Sequence, residues 1–241
     1  MEMKRKKVII NATNIGERSS GIGIYTLNVI KELVKKETDI NFEIYFNKKC
    51  KSQISDISFP ANFKIKWVTK YVSPDYNFPG HLLRLLHSNL LSIFKRGNLF
   101  FNTSQLEISF FNRNQVVTIH DVIPLLFPEL HKKQYFYFKK MLRFALDRTL
   151  TIITPSVHTK KLLIKFYGIH PDKIEMISNG IPDHFLARRK YAIEKENYIL
   201  YAGRICPMKN IKGIIDSFRS VKDTIPHNLV FIGGGRKEIK A

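Results

Sequence analysis

Lys7-Val8-Ile9-Ile10-Asn11, followed by Ser20-Gly21-Ile22-Gly23-Ile24-Tyr25-Thr26, is the stretch on which the reading of the fold turns. The first run is short and β-branched, as a buried strand is. The line Ile22, Tyr25, Val29, Ile30 and Leu33 then marks one face of a helix. Gly21 and Gly23 fall at the corner between the two. Residues without a Cβ let an anion approach the backbone there, and a helix start offers N–H groups and a positive dipole end. Alone, the corner reads equally well as a loop and helix start without a ligand. It is not the dinucleotide fingerprint, whose third glycine would stand where Thr26 does.

Working outward, short apolar runs alternate with segments of helical period, the signature of parallel βαβ construction. Strands are expected near Lys7-Asn11, Phe42-Phe46, Lys64-Thr69, Leu99-Asn102, Val116-Ile119, Thr151-Thr154, Ile174-Ser178, Tyr198-Ala202 and Leu229-Ile232. Tyr135, Phe138, Leu142 and Ala145 mark a second helical face, and Ile211, Ile214, Ile215 and Phe218 a third. A polar stretch from Pro182 to Asn197 reads as a linker. The expected fold class is therefore α/β, with a complete N-terminal Rossmann-like domain and parallel sheet over residues 1–185. Residues 186–241 read as the incomplete start of a second such domain, which stops at Gly233-Gly234-Gly235-Arg236 where a further helix is expected.

Composition bounds the partners. With 241 residues, 44% of them hydrophobic, the chain can build a core. Lys and Arg number 40 against 20 Asp and Glu, a net charge of +20 that favours phosphate-bearing partners: nucleotides, nucleic acids or an anionic membrane surface. Cys50 and Cys206 stand far apart without metal-ligand spacing, so neither a disulfide framework nor a metal site is indicated. The apolar run after the N-terminal cations is too short for a signal peptide, and no uncharged run approaches membrane-spanning length. A cytoplasmic protein, peripheral at the inner membrane face, is expected.

Two further constellations could carry chemistry. His120-Asp121 stands at the carboxyl end of an expected strand, where ligands settle in open α/β sheets. A neighbouring carboxylate can orient an imidazole toward a sugar hydroxyl or a leaving-group oxygen; the alternative is a structural histidine bonded to a carbonyl. Gly203-Arg204-Ile205-Cys206-Pro207-Met208-Lys209-Asn210 joins an expected strand to an expected helix. Arg204 can grip phosphate oxygens in pairs and Lys209 can act as a point charge, although loop cations are commonly only solvated.

In order and spacing these segments resemble the retaining glycosyltransferases of family 4, which have the GT-B fold. The resemblance runs from about Val8 to Gly235 through Gly-Ile-Gly-x-Tyr-Thr, His120-Asp121 with Ile123-Pro124 and Phe127-Pro128, Thr154-Pro155-Ser156, Lys173-Ile174 through Asn179-Gly180-Ile181, and Gly-Arg-x-x-Pro-x-Lys-Asn. It implies transfer of a sugar, with retention, from a nucleotide-sugar co-substrate to a saccharide or lipid-linked acceptor, with no other cofactor and no metal. By resemblance His120, Arg204 and Lys209 are catalytic, and Gly21, Gly23, Asp121, Gly203, Asn179 and Gly180 bind the donor. The glycine corner looks most like mannosyltransferases of surface polysaccharide assembly, making GDP-mannose the first donor expectation and a UDP-sugar the second. Ile24 stands where the family often has Arg, and Met208 where Glu is common. The family's downstream Glu-x7-Glu pair is missing, so the chain reads as truncated, with impaired transfer.

Two rivals make different demands. A nicotinamide-dependent oxidoreductase would need an acidic ribose ligand after the second strand, where Phe46-Asn47-Lys48-Lys49 stands. A basic nucleic-acid-binding module, or a silent fragment, is permitted by charge, but no recognition helix, aromatic platform or finger pattern stands out, so nucleic acid is not the expected partner.

Overall fold

A computed structural model describes residues 7–18, 20–182 and 196–234. Most of the polar stretch read as a linker lies outside them, with Ser19, Gly235 and Arg236. The chain divides into two compact units, Met1–Pro182 and Asp183–Ala241. In the first, β1 (Lys7–Asn11) leads to α1 (Gly21–Val34), β2 (Asn41–Asn47), β3 (Phe63–Val68), α2 (Asn77–Phe94), β4 (Leu99–Asn102) and β5 (Gln115–Thr118). Short helices α3 (Ile123–Leu126), α4 (Lys132–Phe136) and α5 (Arg143–Arg148) precede β6 (Thr151–Thr154), α6 (Val157–Tyr167) and β7 (Ile174–Met176). The second unit holds β8 (Tyr198–Ala202), α7 (Ile211–Arg219) and β9 (Asn228–Ile232).

The first unit is a seven-stranded sheet in the order β3-β2-β1-β4-β5-β6-β7, parallel at every pairing. Strand order reverses between β1 and β4, the switch point at whose carboxyl ends an open α/β sheet leaves a crevice. Every strand read from the sequence is present, with ends within two residues. Ile10, Ile44 and Phe46 turn to a core shared with Ile30 of α1, while Ile9 and Phe100 turn to the other face with Leu91 of α2. Val117, Ile152, Leu142 and Leu163 build a third cluster.

One helical reading needs correction, and another holds for three of its four residues with a change of helix type. In α1 the buried line is Gly23, Thr26 and Ile30, so Tyr25 is only half-buried and meets His120 instead of the core. Between α4 and α5 the chain makes a π-turn at Tyr137–Leu142, whose wider i→i+5 closure brings Phe138, Leu142 and Ala145 to the core.

The periodicity assigns no element to Asn77–Phe94, where the structure has an 18-residue helix built inside out. Its buried residues are Gly80, Arg84, Ser88, Asn89, Leu91 and Ser92, whereas Leu82, Leu86, Leu90 and Ile93 face outward. The polar face sits on the segment after β4. Arg84 lies 3.4 Å from the buried Glu107 carboxylate, the Ser88 hydroxyl donates to the Glu107 carbonyl, and the Ser92 and Ser109 hydroxyls are 2.6 Å apart. Burial raises the Glu107 pKa despite Arg84, Ser104 and Asn14.

In the second unit β8 and β9 pair in parallel, and α7 turns Ile214 and Phe218 toward a groove also lined by Ile199 and Leu229. Gly233 is fixed by its neighbour: a Cβ there would lie 1.7 Å from the Gly203 carbonyl oxygen, at a φ of 157°.

Replacing Arg84 by Met should cost about 3–5 kcal/mol, since it leaves a buried carboxylate unpaired. Adding Glu107→Gln should recover part of that loss in urea unfolding; no loss in the single variant would show that the pair does not matter. Burial holds His81 down to about 4 and also lowers His87 and His120 below 6.5. The unfolded chain therefore takes up those protons first, so their contribution is complete above 6.5 and declines as pH falls toward about 4, by about 1.4 kcal/mol per unit of depression. The thermal midpoint of the chain should fall across that window; a flat profile would contradict it.

Candidate functional site

The glycine corner is shaped from beneath. Ser20 caps α1, its hydroxyl accepting from the Gly23 N–H at 3.1 Å. A Cβ on Gly23 would lie 3.2 Å from that hydroxyl and 3.4 Å from the Asn14 carbonyl, so this glycine serves close packing of the chain on itself. Gly21 is exposed, with nothing near its absent Cβ, and is the position open to an approaching ligand.

The loop before the cap is tied by side chains that sequence reasoning did not single out. Asn47, at the end of β2, donates from its amide to the carbonyls of Thr13 and Ile15 at 3.0 and 2.7 Å. This is where a dinucleotide enzyme would carry its acidic ribose ligand, and here the position fastens a loop. Asp75 accepts from the Glu17 N–H at 2.8 Å and the Ser73 hydroxyl at 2.6 Å. Burial would raise its pKa, but the bonds from Ser73, Glu17 and Arg18 outweigh it and hold the group lowered. Gly16 is needed beside it, since a Cβ would lie 2.8 Å from an Asp75 oxygen. The only sequence signal was Ser73-Pro74-Asp75, an ordinary turn.

His120 follows β5 and is brought to this corner. Its ring meets Tyr25 edge-on at 4.7 Å, and the Tyr25 hydroxyl lies 3.2 Å from that of Thr118. Thr26, one residue on, donates to the Thr103 hydroxyl at 2.8 Å. His120 Nε2 is 2.9 Å from the Thr103 carbonyl, an acceptor, so Nε2 carries the proton. Burial lowers its pKa, opposed by Thr103 and Asp121, and in the neutral ring Nδ1 is then the acceptor. The histidine thus has the carbonyl bond of a structural residue and a second nitrogen for chemistry. Asp121 is not the residue that orients it: its carboxylate accepts from the Ile123 N–H at 3.1 Å, closing the turn into α3.

Gly21, Gly23, His120 and Asp121 therefore belong to one end of the first unit's sheet. Asn179 and Gly180 follow β7 and are exposed. Gly203, Arg204 and Lys209 belong to the second unit, where Gly203 and Ile205 donate to the carbonyls of Ile232 and Gly234 at 2.8 and 3.1 Å. Tyr201 donates to the Arg204 carbonyl at 2.9 Å, fixing the backbone while the Arg204 side chain stays exposed. Asn210, left-handed at φ 48°, caps α7 by accepting from Gly213 N–H at 3.3 Å. Lys209 is exposed in the turn just before that helix.

Asp75→Ala should free the loop before α1. Amide exchange in a peptide covering residues 13–18 should quicken by roughly tenfold, as expected for about 1.4 kcal/mol of lost bonding, and less in Asp75→Asn, which keeps an acceptor. Unchanged exchange in both variants would remove the clamp.

The Glycosyl transferases group 1 model matches residues 183–241. The chain is 32% identical over 122 residues to the O-antigen chain mannosyltransferase RfbU of Salmonella typhimurium strain LT2, covering 51% of this chain and 33% of that protein. It is 24% identical over 233 residues to the O-antigen chain mannosyltransferase B of Escherichia coli, covering 88% and 60%. The chain thus spans between a third and three fifths of these relatives. Among solved structures it resembles a UDP-N-acetylglucosamine 2-epimerase from Rickettsia bellii, at TM-score 0.55, 13% identity and coverage of 94% and 62%. An alpha-glucosyltransferase in complex with UDP and a 13-mer DNA follows, at 0.51, 13% identity and coverage of 96% and 58%. These likenesses bear on the fold alone. The Glycosyltransferase Family 4 model matches residues 19–185, more than half of the chain, and the chain belongs to that family.

Proposed function

We propose that this chain carries the acceptor-side domain and the donor-binding loop of a retaining, nucleotide-sugar-dependent glycosyltransferase of surface polysaccharide assembly. The observation that carries the reading is the meeting of the glycine corner with His120 at the carboxyl end of a parallel sheet, in a chain of Family 4. The mannosyltransferase relatives support mannose as the sugar and GDP-mannose as the first donor, with a UDP-sugar second. The acceptor is a saccharide or a lipid-linked saccharide.

In this mechanism Gly21 gives the donor's diphosphate access to the start of α1, and Gly23 sets the turn that makes it accessible. His120, neutral and fixed through Nε2, accepts a hydrogen bond at Nδ1 from a donor-sugar hydroxyl. Arg204 and Lys209, presented with Gly203 at the start of α7, neutralise the nucleoside diphosphate as it leaves. Asn179 and Gly180 complete the donor contacts, and Asp121 acts through the backbone turn it closes. The catalytic contribution is electrostatic, with no protein nucleophile and no metal required. The protein works in the cytoplasm at the inner membrane face.

Calorimetric titration with GDP and GDP-mannose tests the reading on the 241-residue chain. Weak but saturable binding is expected, reduced about tenfold or more by Arg204→Ala and by Lys209→Ala, as for a lost charge-assisted hydrogen bond. NADH binding without binding of GDP or UDP compounds would reverse it.

A further inference from the structure

We infer that the outward faces of α2 and of the neighbouring helical run 132–148 form a docking surface for an anionic lipid bilayer. The inference gives the proposed function's membrane contact its place on the molecule. Because α2 turns its polar side chains inward onto Glu107 and Ser109, its apolar ones have only the outside to occupy. Leu82, Leu86, Leu90 and Ile93 recur there at helical spacing, and Phe94 at the end of the helix is 80% exposed. Along 132–148, Phe136, Met141 and Phe144 are exposed among the exposed cations Lys132, Lys133, Lys139, Lys140 and Arg143.

The two stretches share a floor. Lys133 Nζ stands 5.3 Å over the ring of Phe78 in α2. Tyr137 donates to the Gln105 carbonyl, two residues from the Glu107 that pairs with Arg84. A surface of exposed leucine and phenylalanine on two adjacent helices exceeds the scattered apolar exposure of ordinary surfaces and marks a contact site.

Charge selects the occupant. No Asp or Glu occurs between Asp75 and Glu107, nor between Glu129 and Asp147, whereas Arg96 in the first interval and Lys132, Lys133, Lys139, Lys140 and Arg143 in the second are exposed. A second copy meeting this face symmetrically would set cation against cation in a chain of net charge +20. Anionic headgroups with acyl chains beneath match both properties, the cations remaining at headgroup level while leucine and phenylalanine enter the apolar boundary. Among the described residues no helix is long and apolar enough to cross a membrane, so the contact is one of lying on the surface.

Sedimentation of the 241-residue chain with phosphatidylcholine vesicles, with and without phosphatidylglycerol, tests this with no donor or acceptor present. Failure of sugar transfer and failure of docking are therefore read separately. Binding to the phosphatidylglycerol vesicles is expected, weakened by salt, and about tenfold lower in Leu86→Ser/Leu90→Ser/Phe94→Ser and in Lys133→Glu/Lys140→Glu. Trp67→Ser, an exposed apolar change on β3, should bind as the parent does. The charge-reversal pair leaves the apolar residues untouched and keeps the test open should the triple variant misfold. Equal binding to both vesicle types, native binding by the charge-reversal pair, or variants that change only the oligomeric mass would overturn the proposal.

Discussion

The structure depends on how the chain leaves β4. Residues 102–109 run beneath the sheet's carboxyl end almost wholly buried, and Asn102, Thr103, Ser104, Gln105, Glu107 and Ser109 are all polar. Beyond Asn102 this buried polar segment has no strand partner and must be bonded by side chains from elsewhere. The neighbours supply them: Asn14 and Thr26 reach the Thr103 hydroxyl, His120 its carbonyl, Arg84 the Glu107 carboxylate, and Gln115 both the carbonyl of Ser109 and the amide of Asn102. One short segment thereby fixes the β1–α1 loop, α1, α2, β5 and the candidate histidine.

That dependence explains why α2 is inverted and why it escapes a reading of hydrophobic period. A helix laid over a polar floor stabilises the fold with Arg84, Ser88, Asn89 and Ser92, and its leucines then mark the outside. Periodicity identifies an apolar face and assumes that the face is buried; here the assumption fails because the core beneath is polar. The same logic moves the face of α1, where Thr26 outranks Tyr25 as a buried residue because Thr103 offers it a hydroxyl.

The strands were legible because strands buried on both sides of a parallel sheet are largely apolar runs, and Val8-Ile9-Ile10 and Ile152-Ile153 show that locally. The glycine corner and His120 were legible for a related reason: the start of a helix and the end of a strand are marked by residues adjacent in sequence. Asn47, Asp75 and Thr103 were not. Each acts on a segment distant in the chain, through one amide, carboxylate or carbonyl group, and an asparagine at a strand end carries no mark of the loop it will fasten. The orientation of the His120 ring belongs with them, since adjacency pointed to Asp121 while the fold delivered Thr103.

A common fold leaves the reaction open, as likeness to both an epimerase and a glucosyltransferase shows. What narrows it is the kind of group each unit presents. The crevice end of the first unit offers a neutral imidazole, a tyrosine, threonine hydroxyls and the start of α1, groups that exchange hydrogen bonds with sugar hydroxyls without a fixed charge. The second unit's loop offers a guanidinium and an ammonium on a backbone held by Tyr201 and the Gly203–Ile232 bond. In the proposed transfer the charge on a departing diphosphate would be met by these exposed side chains, carried on a loop whose backbone is already fixed. In the same proposal a histidine kept neutral by burial suits the complementary task, since an imidazolium beside a sugar losing its anionic leaving group would oppose the positive charge developing at the anomeric carbon.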